Sequence, residues 1–70
     1  MVTVDVRDMM CAQALALIAQ ALARLANGQS LEVVYNAHDV RRDVLAWARD
    51  AGHCIQEQTP STITLQRGTL

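Results

Sequence analysis

Apolar and polar residues alternate over residues 2–7, and the spacing then changes to that of a helix. Strict alternation is typical of a half-buried strand. From Cys11 to Ala26, apolar residues recur every three or four positions, which predicts an amphipathic helix. The predicted buried stripe of this helix is Leu15, Ile18, Leu22 and Leu25. Gly28 is expected to end the helix in the left-handed conformation.

A second strand and helix follow with the same change of spacing. Alternation over residues 31–36 predicts the strand. Its predicted buried face is Leu31, Val33 and Tyr35. A helix is predicted from Ala37 to Ala51, with Asn36 as its N-cap and Asp39 near the capping-box position. The predicted buried stripe of this helix is Val40, Val44, Trp47 and Ala51, and Gly52 is expected to end it.

Two short strands complete the pattern, over His53–Gln58 and Thr62–Gln66, and the turn at residues 59–61 predicts a hairpin. The strand residues predicted to face solvent are Thr3, Asp5, Arg7, Glu32, Asn36, Gln56, Thr62 and Thr64. The order β-α-β-α-β-β predicts a two-layer α/β (α+β) sandwich with a four-stranded mixed sheet and two helices on one face. A chain of 70 residues forms one domain, here residues 1–70.

Composition narrows the possible functions. Six arginines and seven acidic residues give a net charge of −1, and aromatic residues make up 3% of the chain. A protein that binds nucleic acid directly usually carries a basic excess or an aromatic stacking platform, so that function is not expected. We also expect no signal peptide or membrane span, and we predict a cytoplasmic protein with two free thiols.

Cys11 is predicted to lie where the first loop meets the first helix. Backbone N–H groups and the helix dipole place positive partial charge there, which lowers the pKa of a thiol. An exposed thiolate on a rigid element suits a nucleophilic or sulfur-carrying cysteine. A small cysteine that fills space in the core is the alternative, and position alone does not decide between them.

The sequence resembles the TusA/SirA-like sulfur-carrier family over nearly its whole length. That family has the pattern Leu-Asp-x-x-Gly-x-x-Cys-Pro-x-Pro, and Asp5 and Cys11 match it at the right spacing. Later matches are Val33-Val34, Arg42-Asp43, Gly52-His53 and Ile55. The chain departs from the pattern at Asp8, where the family has Gly, and at Ala12 and Ala14, where it has Pro. Asp8 is expected to oppose ionisation of the nearby thiol.

The resemblance implies a sulfur carrier that accepts sulfane sulfur as a persulfide on Cys11. It implies partner proteins that donate and accept the sulfur, in tRNA thiolation, cofactor assembly or sulfur metabolism. The protein would then be a possible sulfurtransferase that needs no organic cofactor. The alternative function is a non-catalytic interaction or regulatory module that kept the fold and lost sulfur transfer.

Other residues have weaker chemical signals. Met10 and Leu17 are candidates for partner binding near the thiol. Cys54 is expected to be an incidental exposed thiol rather than a resolving cysteine. The cysteines and histidines lack metal-ligand spacing, so no metal site is expected. Arg41, Arg42 and Arg49 are expected to form a solvated face. We expect a monomer, with a homodimer through sheet edges near Val34 and Cys54 as the alternative.

Overall fold

The computed structural model describes residues 2–68 of the chain. It contains two helices and four strands in the predicted order β-α-β-α-β-β. The elements are β1 (Val2–Asp5), α1 (Cys11–Ala23), β2 (Ser30–Val34), α2 (His38–Asp50), β3 (Cys54–Gln58) and β4 (Thr62–Gln66). The predicted α+β fold is therefore confirmed.

The strands form one mixed sheet in the order β1-β2-β4-β3. β1 and β2 are parallel, and β4 lies antiparallel between β2 and β3. The parallel pairing of β1 with β2 requires a long connection, which α1 supplies. The β3–β4 pairing is the predicted hairpin, with a register irregularity between Ile55 and Glu57.

A single apolar core lies between the sheet and the two helices. Its members come from every strand except β3 and from both helices. The largest fully buried side chains are Ile18, Leu22, Leu31, Ile63, Leu65, Val6, Val33 and Val44. Val6 and Tyr35 are buried although each lies just beyond the end of its strand. The apolar face predicted by alternation thus continues into both loops.

The prediction for the end of α1 was wrong. The helix ends at Ala23, three residues before the predicted end. The guanidinium of Arg67 donates hydrogen bonds to the carbonyl oxygens of Ala23 and Leu25, so a side chain distant in sequence satisfies groups that would otherwise continue the helix. Gly28 has the expected positive φ of 86°, but it lies in the following turn and does not cap the helix.

The start of α2 also differs from the prediction. Its N-cap is Ala37, which offers no side-chain hydrogen bond, and Asn36 bonds elsewhere. The other end is as predicted. Gly52 has φ 83° and follows the helix, and the N–H of His53 donates to the carbonyl of Ala48, as in a Schellman motif.

The buried faces match the predicted stripes in part. In α1, Ala14 is fully buried and Leu15 is only half-buried. In α2, Val40 and Val44 are buried as predicted, but Trp47 and Ala51 are half-buried. Their expected places in the core are taken by Leu45 and Ala48.

The face of the sheet that the helices do not cover is polar, but one residue that was predicted to face solvent there is buried. Thr64 was expected in solvent, but it is buried because β4 is a central strand flanked by β2 and β3. It pairs with Glu32 on one side and Glu57 on the other. Val34 also lies on a central strand, so the alternative of a dimer edge at this residue is wrong.

Candidate functional site

The two helices begin at the same edge of the sheet. β1 and β2 are parallel and in register from Val2–Leu31 to Asp5–Val34, so their carboxyl ends lie side by side. The short loops that follow lead directly into α1 and α2. Cys11 is the first residue of α1 and Asp39 the second residue of α2, and parallel pairing therefore brings them together.

A pair of hydrogen bonds joins the two loops. The N–H of Asp8 donates to Oδ1 of Asn36 at 3.0 Å, and Nδ2 of Asn36 donates to Oδ1 of Asp8 at 2.8 Å. Asp8 has φ 63°, a left-handed conformation that Gly adopts freely and Asp tolerates better than most residues. We call this pair the Asp8–Asn36 clamp. It fixes the loop that positions Cys11.

Cys11 lies in the first turn of α1, where backbone N–H groups lack a carbonyl partner within the helix. The first hydrogen bond of the helix runs from the N–H of Ala14 to the carbonyl of Met10 at 2.9 Å. The N–H groups of the three preceding residues therefore have no partner within the helix. The side chain of Gln13 accepts a hydrogen bond from the N–H of Met10 at 3.3 Å.

The thiol of Cys11 is half-buried against the core and faces two carboxylates of α2. Its Sγ donates a hydrogen bond to Oδ2 of Asp39 at 3.6 Å. Asp43 lies one turn further along α2, on the same face, because residues four apart are neighbours on a helix. A hydrogen bond with Asp43, burial of the thiol, and the negative charges of Asp39 and Asp43 raise the pKa of Cys11 to about 11.

The prediction of a lowered thiol pKa was therefore wrong. Two nearby carboxylates outweigh the positive end of α1, because a like charge within a few ångströms disfavours the anion. With a pKa of about 11 instead of the ordinary 9.0, about one thiol in ten thousand is ionised at pH 7 rather than about one in a hundred. Asp8, expected to oppose ionisation, is bound in the clamp, and the opposing carboxylates lie on α2.

The two residues predicted to bind partners are both exposed. Met10 adjoins the thiol and is 73% exposed. Leu17 is 36% exposed and lines an apolar groove beside the β1 edge, together with Val2 and Val4. It follows Met10 by seven residues, which places the two on the same side of α1 and about 10 Å apart along the helix axis. A shared partner surface along α1 stays a prediction.

The remaining candidate residues make no hydrogen bond with the Cys11 side chain within residues 2–68. Cys54 is exposed at the start of β3, as predicted. His53 is half-buried, accepts a hydrogen bond from the N–H of Gly68 at 3.0 Å and packs against Trp47. Arg41 donates to Gln58 at 2.6 Å, and Arg42 lies 3.5 Å from a carboxylate oxygen of Asp43 in an exposed ion pair.

Residues 2–68 contain neither a cluster suited to a metal ion nor a helix suited to cross a membrane. No three His, Cys, Asp or Glu side chains in this range are grouped so that they could hold a metal ion. In the same range, neither helix has the length and apolar character required to cross a bilayer. The cytoplasmic location stays a prediction.

Sequence reasoning missed Asp39 and Asp43 as neighbours of Cys11. It assigned them to capping and dipole roles at the start of α2, although their spacing of four residues places both on one face. The signal was present in the predicted topology. Parallel β1 and β2 require that α1 and α2 start at the same sheet edge, so an acidic first turn of α2 must lie near Cys11.

Comparison with known proteins gives a family match. The family model described as Sulfurtransferase TusA matches residues 2–66, which is nearly the whole chain. The matched range includes every strand and helix of the fold and the cysteine at the start of α1. Neither the curated proteins nor the solved structures contain a significant match.

Proposed function

Because the chain belongs to the TusA sulfurtransferase family, we propose that it is a sulfur carrier that holds sulfane sulfur as a persulfide on Cys11. The observation that carries this proposal is the place of the cysteine. Cys11 is the first residue of α1, partly accessible, and lies in the first turn, where backbone N–H groups have no carbonyl partner within the helix. Those donors can stabilise a negatively charged sulfur, whether thiolate or persulfide.

The transfer step follows from thiol chemistry. Sγ of Cys11 attacks the outer sulfur of a donor persulfide, R–S–SH, and forms Cys11–S–SH. The sulfur–sulfur bond of the donor breaks, and the thiol proton ends on the departing R–S⁻ to give R–SH. One sulfur atom moves and no external oxidant or reductant is needed. Delivery to an acceptor repeats the exchange with Cys11 as the donor.

Partner proteins complete the proposed cycle. The exposed Met10 beside the thiol is suited to contact both donor and acceptor, because a flexible thioether side chain adapts to different surfaces. Leu17 and the apolar groove at the β1 edge are a second candidate contact. With these two contacts, a partner can bind along α1 and place its own reactive group at Cys11.

A second candidate function is favoured by one specific observation. A thiol with a pKa of about 11 is a weak nucleophile at neutral pH because so little of it is ionised. The chain also has Ala12 and Ala14 where the family pattern has prolines. Both features fit an interaction module that retained the fold and lost sulfur transfer.

Intact-mass analysis after incubation with cysteine and a cysteine desulfurase separates the two functions. For the carrier, we expect the protein to gain one sulfur atom that maps to Cys11 and is released by reductant. Cys11→Ser should abolish the gain with an unchanged circular dichroism spectrum, and Cys54→Ser should preserve both. Loading of the Cys11→Ser protein would contradict the assignment of the site, and no loading of the wild type by any donor would favour the interaction module.

A further inference from the structure

We propose that Asp39 makes Cys11 selective for sulfur donors that bring a positive charge to the thiol; this inference rests on the sulfur-carrier function proposed above. Asp39 accepts a hydrogen bond from the thiol, with 3.6 Å between Sγ and Oδ2. A carboxylate in this position holds the proton on sulfur and repels an approaching anion. Asp39 does not touch the transferred sulfur, so its role is that of a positioning residue.

The charge of Asp39 is not neutralised within the described part of the chain. Among residues 2–68, the ion pairs are Arg7–Asp5 and Arg42–Asp43. The Arg42–Asp43 pair is exposed, and such pairs are weak and screened by salt. Asp39 is exposed, and within residues 2–68 its other oxygen accepts the N–H of Val40, so an external cation can reach it.

Other charged groups near the loop have partners of their own. Hydrogen bonds from the side chain and N–H of Arg7 lower the pKa of Asp5 to about 2, so this pair stays ionised and locally neutral at neutral pH. Asp8 is held by Asn36 in the clamp. His38, the first residue of α2, is exposed beside Asp39. The charges that raise the pKa of the thiol are therefore those of Asp39 and Asp43.

A cationic group on the donor changes this balance at the moment of docking. When a lysine or arginine side chain of the donor pairs with Asp39, the carboxylate becomes a weaker acceptor for the thiol proton. The negative potential at Sγ also falls, so the thiolate becomes accessible in the complex. The persulfide exchange written above can then proceed. The free carrier, in contrast, stays protonated and resists oxidants and unrelated electrophiles.

Exchange with two small disulfides of opposite charge tests the selectivity. The probes are cystamine, which carries two ammonium groups, and dithiodiglycolate, which carries two carboxylates, reacted with a Cys54→Ser protein at pH 8 and low salt. We consider a probe charge about 6 Å from one carboxylate. Changing that charge from positive to negative alters the exchange rate about tenfold, even at the dielectric constant of water. We expect cystamine to react faster by about this factor or more, and the ratio to fall about tenfold in Asp39→Asn.

Matched variants keep this test specific. Asp50→Asn removes the same charge from the same helix, about 16 Å from Asp39, and should leave the ratio unchanged. Added salt should reduce the wild-type ratio because it screens exposed charges. Equal ratios in wild type and Asp39→Asn would overturn the proposal. If Asp39→Asn does not fold, Asp39→Ser removes the same charge and gives the same comparison.

The pH dependence of alkylation is a second readout that a purely structural role would not move. Because the folded protein has a raised thiol pKa, reaction with neutral iodoacetamide should rise late, at alkaline pH. Asp39→Asn should move the midpoint down by about one pH unit, since a nearby like charge shifts a pKa by about one to three. An unmoved midpoint would count against the proposal.

Failure of this inference can be told from failure of the proposed function. Sulfur loading from a desulfurase without charge selectivity would overturn the role of Asp39 and leave the carrier function intact. If Cys11 is charge-selective but the protein takes up no sulfur, the carrier function is overturned. The selectivity then has no role in sulfur transfer.

Discussion

The left-handed backbone at Asp8 shows how one residue can replace a glycine of the family pattern. The loop between β1 and α1 needs φ near 63° at this position, and an L-residue with a β-carbon normally pays for that conformation. Asp8 offsets part of the cost by joining Asn36 through both its N–H and its carboxylate. At the position where the family pattern has Gly, this chain thus adopts a left-handed conformation that Gly takes without strain.

Substitutions at Asp8 should separate the backbone contribution from that of the hydrogen bond. Asp8→Ala keeps the strained conformation and the bond from its N–H to Asn36, but it loses the bond that the Asp8 carboxylate accepts from Nδ2 of Asn36. We therefore expect the free energy of unfolding to fall by about 1–2 kcal/mol. Asp8→Gly loses the same bond but relieves the strain, and should be about 1 kcal/mol more stable than Asp8→Ala. Asp8→Asn retains an acceptor oxygen and serves as the control. Urea unfolding measures all three, and an Ala variant as stable as Gly would contradict the assignment.

At Cys11, the position could be predicted and the chemistry could not. The change from alternating to helical spacing locates the residue at the start of α1, and the structure agrees. Its pKa depends on Asp39 and Asp43, which lie 28 and 32 residues away in sequence. Local reasoning includes the dipole of the residue's own helix and omits the charges of the next one. Only the relative placement of two helices determines which effect is larger.

At the scale of elements, α1 has a buried face and an exposed face, and the neighbouring residues Ile18 and Leu17 lie on one face each. Ile18 is completely buried between α1 and the sheet, whereas Leu17 is 36% exposed beside the β1 edge. Ile18→Ala should lower the free energy of unfolding by about 2–5 kcal/mol, a large share of the stability of so small a domain. Leu17→Ala should change it by less than about 0.5 kcal/mol.

The same pair of variants tests whether Leu17 contacts a partner. Urea unfolding gives the stabilities, and the rate of sulfur loading by the desulfurase gives the function. We expect Leu17→Ala to slow loading while the fold stays intact, because the groove loses an apolar contact. A large loss of stability in Leu17→Ala would show that it belongs to the core, and unchanged loading would remove it from the partner surface.

Helix ends were the least predictable elements for a related reason. The sequence pattern stays helical to Ala26, yet α1 ends at Ala23, where Arg67 binds the terminal carbonyl groups from 44 residues away. The start of α2 was misjudged because Asn36, a good N-cap by type, is used in the clamp. By contrast, the end of α2 was predictable, because Gly52 acts through its own backbone. The helix end that depends on a local signal was predicted correctly, and the helix ends that depend on residues distant in sequence were not.

At the scale of the whole molecule, the two thiols lie at opposite ends of the sheet. Cys11 follows the end of β1 where Asp5 pairs with Val34. Cys54 pairs through Gln66 with Ser30, at the other end of β2. The four residue steps from Ser30 to Val34 span about 13 Å, and a disulfide requires α-carbons within about 7 Å. An internal disulfide is therefore incompatible with the fold.

Oxidation of the purified protein with diamide should reflect this separation. We expect no monomer that has lost two hydrogens, and instead a disulfide-linked dimer through Cys54, because this thiol is exposed and Cys11 is held protonated beside Asp39. Intact-mass analysis and non-reducing gel filtration should show that Cys11→Ser still forms the dimer and that Cys54→Ser does not. An internal disulfide in the wild type would mean that the fold opens far enough to join its two ends, and Cys54 would then have to be reconsidered as a resolving cysteine.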